Sequence, residues 1–572
     1  MEVLLKFVIC LCIFLLPLSI IAEDLEQYYN SDAYELYQKA MNYYTGTNVK
    51  QDFKKAAELL QQASELGDPN SQSVLANMYL QGKGVPKNNK LAVKWFYESA
   101  NQGNVLSQYN LGLLMMKGEG VEKSYTKALE YFIKASGKDH AKSKYMIAMI
   151  YLKGLGVEKD ANTAVVWLIA AAEMDVPEAQ YYLAKMYYNG EGIAQNYTNA
   201  YTYLVKAVKN KYINAYYYLG ESYYNGFGVE KNLYNAFIVF KEAADLGESR
   251  CQYKLATMYK DGLGTDVNNI FADKWFLESA NQGDVNAQYM IGKKYYYGEE
   301  TPIDYEQASK WLQKSAKQNH PTSQYLLGMM YFNGDGFPKN YKEAYEWISQ
   351  AAEQGDAKAQ YVLGNMYFEG HGVAQNNEES FNWYSKSAEQ NYDEAVYAIG
   401  LMYNKGIGVT QDFKKAVSYF EKASVQGNAK SQFALGQMYE LGKGVEKNPE
   451  QAIQLYMQSA NEGYFKAQYQ LGKIFFEGQL TEQNYPQSIR MLLYAAKQNY
   501  LPAQYLIGMV YADKNPVTKN LIEAFSWLTI AALNGEENAK SPQDKIRSQL
   551  TPEQLSEAEA HIDKLRQEIS KS

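Results

Sequence analysis

Few side chains in this sequence could do chemistry. A zinc site gathers three or four His, Cys or acidic ligands at short, regular spacings. The four histidines, His140, His320, His371 and His561, are spread along the chain with no pair at such a spacing. No metal and no cofactor are therefore expected, the more so because no Gly-Lys-Ser/Thr loop is present to cradle a phosphate. One arrangement does have nucleophilic spacing. Ser124-Tyr125-Thr126-Lys127 sets a lysine three residues after a serine, where the amine could take the proton of an attacking hydroxyl. Of the three cysteines, Cys10 and Cys12 fall in an apolar N-terminal stretch, which leaves Cys251.

Whether those groups are free to react depends on the elements that carry them. The chain aligns on itself every 36 residues: Leu75, Leu111, Ile147, Leu183, Leu219, Leu255, Ile291, Leu327, Leu363, Ile399, Leu435, Leu471 and Ile507 share one register. A weaker copy precedes them, with Tyr43, Gly46 and Val49 in phase although Lys39 replaces the aliphatic residue, which makes fourteen copies. Such a period marks a repeat architecture, in which each unit buries its apolar face against its neighbours.

Each copy reads as two helices. The first, helix A, has the spacing of a buried stripe, as in Ala359, Leu363, Met366 and Tyr367. A small residue such as Gly364 or Ala184 follows the aliphatic one, leaving room for a close helix contact. Glycine then ends helix A in thirteen of the fourteen copies, and a second glycine follows two residues on in ten. Glu300 and Leu480 replace the second glycine, and Lys514 and Pro516 replace both, so irregular links are expected there.

Next comes a residue able to cap a helix, in every copy: Asp52, Asn88, Ser124, Asp160, Asn196, Asn232, Asn268, Asp304, Asn340, Asn376, Asp412, Asn448, Asn484 and Asn520. Helix B starts after it, so the Ser124 hydroxyl already has a structural task. All seven tryptophans occupy one phase of helix B, and twelve tyrosines from Tyr43 to Tyr511 share one phase of helix A. Recurrence at one position in copy after copy is the mark of packing, so the aromatic excess reads as mostly core. The expected fold is all-α: an α/α superhelical solenoid of about fourteen 36-residue helix-turn-helix repeats over residues 34–540, closed by a C-terminal capping helix within 541–572. Thr551-Pro552-Glu553 starts that helix, and Leu555, Ala558, Ile562, Leu565 and Ile569 form its apolar stripe.

Charge and the N-terminus bound the setting. Net charge is −8 with lysines and acids interleaved, so the basic patch of a nucleic-acid binder is missing and no nucleic acid is expected as partner. Lys6 precedes an apolar run from Phe7 to Ala22, broken by Pro17 and shorter than the roughly 20 residues of a spanning helix. Residues 1–22 read as a signal peptide cleaved after Ala22, with a membrane attachment only if that segment is retained. The protein is thus expected to be exported, periplasmic or secreted. A mature chain holding Cys251 alone has no internal disulfide.

The unit Ala359-Gln360-Tyr361-Val362-Leu363-Gly364-Asn365-Met366-Tyr367-Phe368-Glu369-Gly370-His371-Gly372-Val373, followed by a capped helix, resembles the Sel1-like repeat, a relative of the tetratricopeptide repeats. The resemblance covers residues 34 to about 540. It implies an adaptor whose concave face, lined by helix A, grips protein or peptide partners, and exported bacterial members of the family resemble factors of the cell envelope and of host contact. Cysteine-rich members resemble binders or slow hydrolysers of β-lactams. That leaves as the alternative function an envelope enzyme or a binder of cell-wall ligands such as β-lactams or peptidoglycan.

The same relationship places three phases of helix A on the concave side. One is mostly tyrosine, with Tyr181 and Tyr217, and Tyr182 and Tyr218 stand next to it. The second holds Lys185, Glu221, Lys293 and Met329, and the third Tyr188, Tyr224, Tyr296 and Phe332. Tyrosine and methionine offer contact area with a polar or adaptable handle at low entropic cost. These twelve residues are the expected partner-binding set, and the charges among them would set register. No catalytic residue is expected.

Overall fold

A computed structural model of the protein describes residues 32–513 and 519–570. The expected signal segment and the replaced glycine positions Lys514 and Pro516 lie outside those residues. The described residues hold α-helices, one short 3-10 turn at Glu537–Ala539 and no strand. Two compact units divide the chain, Met1–Asp284 and Val285–Ser572. The first carries seven helix pairs, from Asp32–Thr45 with Phe53–Glu65 to Ser249–Asp261 with Asn269–Asn281. Seven more pairs make the second, from Val285–Tyr297 with Tyr305–Ala316 to Leu501–Ala512 with Leu521–Leu533. In each unit helix A packs on helix B of its own copy, and helix B packs on helix A of the next.

The caps act as the sequence expects. Each of the fourteen N-cap side chains, from Asp52 to Asn520, accepts the backbone N–H three residues on, for example Lys55 to Asp52 at 3.0 Å and Glu523 to Asn520 at 3.1 Å. The N–H of the capping residue itself reaches back to helix A: Asn376 donates to the Tyr367 carbonyl at 2.9 Å and Asn88 to that of Tyr79 at 2.9 Å. This bond holds at the irregular links too. Asp304 donates to Tyr295 at 3.0 Å, Asn484 to Phe475 at 2.8 Å and Asn520 to Tyr511 at 2.9 Å. Glu300 even keeps the left-handed geometry of the glycine it replaces, with φ 59°.

The second loop glycine has a tertiary reason. At Gly372, with φ 75°, a β-carbon would stand 2.0 Å from the Tyr341 carbonyl oxygen of the preceding copy. No side chain fits, so successive copies meet through bare backbone.

The deepest core position is one residue beyond the tryptophan phase. Phe96, Phe132, Phe240, Ile348 and Phe420 are fully buried there, while Trp167, Trp311, Trp347 and Trp383 are only half-buried. The tryptophan phase thus lies at the margin of the core in those copies, and its lysine neighbours stack on it: the Lys386 ammonium is 3.8 Å from the Trp383 ring centroid and that of Lys314 is 4.0 Å from Trp311. The small residue of helix A lies under the core position, with Gly220 beneath Phe240 and Gly364 beneath Tyr384.

The interior also carries a polar ladder. Gln72, Gln360 and Gln468 are buried, and each donates to a carbonyl eight residues earlier while accepting from an amide thirty residues later, at 2.9 Å from Gln102, 2.8 Å from Gln390 and 2.9 Å from Gln498. A buried amide costs stability unless it is bonded, and here the bonds tie copy to copy.

Past the last pair, Lys540–Arg547 and Pro552–Ile569 cover helix Leu521–Leu533. Ala558, Ile562 and Leu565 are buried against Trp527 and Leu528, so the expected stripe seals the end of the second unit. Thr551 and Gln554 form a reciprocal capping box at the start of the sealing helix.

Candidate binding face of the first helices

Helix A of each copy presents positions three and four apart on one side, and aromatic residues fill them. In the first unit the structure gathers eight of the expected residues from helices Pro177–Asn189 and Ile213–Asn225. Tyr181 meets Tyr182 at 5.3 Å between ring centroids, Tyr212 at 5.3 Å and Tyr218 at 5.8 Å. Tyr217 meets Tyr218 at 5.5 Å, and Tyr188 meets Tyr218 at 6.1 Å. Burial raises the pKa of the Tyr217 hydroxyl to about 12, and it raises those of Tyr182 and Tyr188 as well.

Two expectations need correction. Tyr181 is only 8% exposed, because four neighbouring tyrosine and lysine side chains close over it; it is a packing residue rather than open contact surface. Glu221 is not a free anion either, since the Lys254 ammonium pairs with it at 2.9 Å. The Lys254 ammonium also lies 5.5 Å from the Tyr224 ring centroid, and the Arg250 guanidinium lies 4.6 Å from that of Tyr217. Neither cation stood among the expected residues, although Lys254 is one position removed from the tyrosine phase.

In the second unit Lys293, Tyr296, Met329 and Phe332 do not form one cluster. Lys293 is bound to Glu299 at 3.0 Å, a contact that raises its pKa and removes it as a free register-setting charge. Tyr296 packs on Tyr297 and Tyr305, at 4.9 and 5.8 Å. Phe332 meets Tyr341 at 5.1 Å and His371 at 5.6 Å, while Met329 is half-buried beside the core of the next copy.

The same three phases do form a recess, but farther along. In copies 357–392 and 393–428 a cavity of about 270 Å³ is lined by Tyr361, Phe368, Tyr397, Leu401 and Ile407. Asn365, Lys405 and the ion pair of Lys430 with Glu394, 3.2 Å apart, supply its polar edge. Asn365 accepts the Tyr384 hydroxyl, and burial pushes the Tyr361 and Tyr397 hydroxyls up, so the wall stays neutral.

A second aromatic series lies outside the three expected phases. Tyr212, Tyr392, Tyr464 and Tyr500 each stand just before one helix A and meet a tyrosine or phenylalanine of the helix A that precedes it in the chain, as Tyr392 meets Tyr361 at 5.4 Å. His140 and His320 hold the same phase, 4.7 Å from Tyr109 and Tyr289. The signal was in the sequence: these six residues are spaced by multiples of 36.

The reactive candidates are all occupied. Ser124 accepts the Lys127 N–H at 3.3 Å as a helix cap. His140 and His320 accept the N–H groups of Ser143 and Ser323 through Nδ1, each at 3.2 Å, and burial lowers both imidazole pKa values. Cys251 is fully buried, and burial pushes its thiol pKa up, away from the thiolate. Among the described residues no group of three His, Cys, Asp or Glu side chains could hold a metal ion.

A family model described as the Sel1 repeat matches fourteen consecutive stretches, 40–68, 69–104 and so on at every 36 residues to 501–536. The chain belongs to the Sel1 repeat family. Among solved Sel1 repeat structures, it is similar to c5321 of uropathogenic Escherichia coli, described as a protective antigen with an SLR fold. The identity is 28%, the match covers 90% of this chain and 95% of that one, and the TM-score is 0.55. A Sel1 repeat protein from Oxalobacter formigenes is 27% identical over 53% of this chain and 88% of its own, with a TM-score of 0.44. No curated protein matches this chain. A Sel1 repeat solenoid is typically a scaffold for protein–protein interaction.

Proposed function

We propose that this Sel1 repeat protein is an interaction scaffold that binds an extended or helical segment of a protein partner along its helix-A face, without catalysing a reaction. The recess in copies 357–428 carries the proposal. A cavity of about 270 Å³ is at the small end of ligand pockets and suits one bulky apolar side chain, the kind of anchor that dominates peptide affinity. The Lys430–Glu394 ion pair at its edge can set register without adding bulk attraction. Against an enzymatic role in the envelope, the Ser124 hydroxyl is committed to its cap and the Cys251 thiol is buried and protonated.

The protein acts after export, in the periplasm or outside the cell. Support comes from the apolar run Phe7 to Ala22 with its small, polar exit, and the description of the Escherichia coli relative as a protective antigen accords with it. None of the described helices is long and apolar enough to cross a membrane.

Photo-crosslinking tests the binding role. A benzoylphenylalanine at Lys405, on the recess edge, should give one discrete partner adduct in the native envelope, while the same residue at Val425, 89% exposed on helix Phe413–Val425, should not. Equal adducts from both positions, or none from Lys405, would reject the recess as the contact.

A further inference from the structure

The chain contains 56 Lys and Arg together, and only four of them are arginine: Arg250, Arg490, Arg547 and Arg566. Arg250 therefore stands alone among the first 489 residues, and it stands in the tyrosine cluster. Its neighbours hold it in one orientation. Nε donates to Glu248 Oε1 at 2.7 Å, while Glu248 Oε2 accepts the Cys251 N–H at 2.7 Å as the cap of helix Ser249–Asp261. Glu248 is 10% exposed and fully committed, whereas Arg250 keeps 38% of its side chain exposed. Beneath the guanidinium lies Tyr217, at 4.6 Å. The two terminal amino groups, which in an arginine form the fork that matches a carboxylate, have no protein acceptor among the described residues.

A second cation lies beside the Tyr218 ring. The Lys185 ammonium is 5.7 Å from the Tyr218 ring centroid and the Arg250 guanidinium is 5.9 Å from it. The two come from copies 177–212 and 249–284, and the copy between them contributes Tyr218. No carboxylate among the described residues pairs with Lys185. Nearby, Lys254 is neutralised by Glu221 at 2.9 Å and Arg250 by Glu248, so one positive charge is left over on an acidic protein with a formal charge of −8. Two fixed cations beside aromatic rings, one with an unused fork, favour an anion of planar shape.

Resting on the peptide-binding function proposed above, we infer that Lys185 and the terminal amino groups of Arg250 form a carboxylate subsite on the helix-A face of copies 177–284, which takes an aspartate or glutamate side chain of the bound segment.

The probe is a phage-displayed library of random twelve-residue peptides, panned on the full chain at low salt. Wild-type binders should be enriched in Asp or Glu, and synthetic copies of them should lose about tenfold in affinity to R250Q and to K185Q. R250K, which keeps the charge and loses the fork, should fall in between. Glu-to-Gln versions of the peptides should bind wild type and R250Q alike, which separates a lost ion pair from a lost fold. Circular dichroism of K185Q, whose side chain fills no core position, keeps the test open if R250Q fails to fold. Binders without acidic enrichment, or acidic binders indifferent to both substitutions, overturn the subsite while leaving peptide binding intact. Failure to select any binder sinks the binding function itself, and the subsite with it.

Discussion

Gly220 lies directly under the ring of Phe240: a β-carbon on Gly220 would stand 2.3 Å from Phe240 Cε1. The pair recurs as Gly364 under Tyr384, at 2.5 Å, and Gly400 under Phe420, at 2.6 Å. In these copies the ring of helix B fills the space that a side chain on the helix-A glycine would need. Gly220→Ala should destabilise its copy by about 1–3 kcal/mol, the usual cost of forcing extra volume into a packed core. Urea unfolding followed by circular dichroism measures it. An unchanged midpoint would mean that the helices can separate at little cost.

The buried phase next to the tryptophans makes a contrasting pair of variants. Phe420→Ala removes a fully buried ring and should cost about 3–5 kcal/mol. Trp347→Ala should cost distinctly less, because Trp347 is half-buried beside the fully buried Ile348. In a nearest-neighbour array the loss should show first as faster hydrogen exchange in the mutated copy. Equal acceleration in distant copies would refute that locality.

Stability should decline in alkali. The hydroxyls of Tyr201 and Tyr223 are 2.8 Å apart and those of Tyr345 and Tyr367 are 2.9 Å apart. Burial first, and then these bonds, push Tyr201 and Tyr367 up to about 12. The folded state thus favours the neutral phenol. Its contribution is complete below the unfolded value of roughly 10 and is lost as pH climbs toward the folded one. Urea midpoints should be level from pH 8 to 9.5 and fall above that, less steeply in a Tyr201→Phe, Tyr345→Phe double variant. A flat profile to pH 11.5 would contradict the assignment.

Binding should separate from stability in the recess. Leu401 is a half-buried lining residue, and Leu401→Lys should reduce partner affinity at least tenfold, since a charge would occupy the apolar anchor site. Thermal melting should move by only a few degrees. Tyr188→Ala is a poorer probe, because Tyr188 also supports Tyr197 and Phe227 at 5.2 and 5.7 Å. Loss of binding in step with loss of melting temperature would place the anchor elsewhere.

Local signals are written plainly in this chain. Capping residues, paired glycines and a strict 36-residue period satisfy backbone groups within a few positions, so the sequence alone determined the helices, their ends, the number of copies and the sealing stripe Ala558, Ile562 and Leu565. At the turn after helix B six substitutes, Asp139, Asp175, Lys211, Asn319, Asn391 and Asn499, take positive φ like the glycines of the other copies. What only the tertiary structure decided lies between copies. Phe420, not a tryptophan-phase residue, fills the core because it faces Gly400 across the helix pair. Tyr181 is covered by Tyr212, thirty-one residues on, and Lys185 and Arg250, from the copies on either side of Tyr218, both lie beside its ring. A repeat register names the phase of each residue, but whether that phase is buried, paired or open depends on the size and charge of the residues that neighbouring copies bring to it. In copies 357–428 those neighbours leave a cavity, and in copies 177–248 they close over Tyr181.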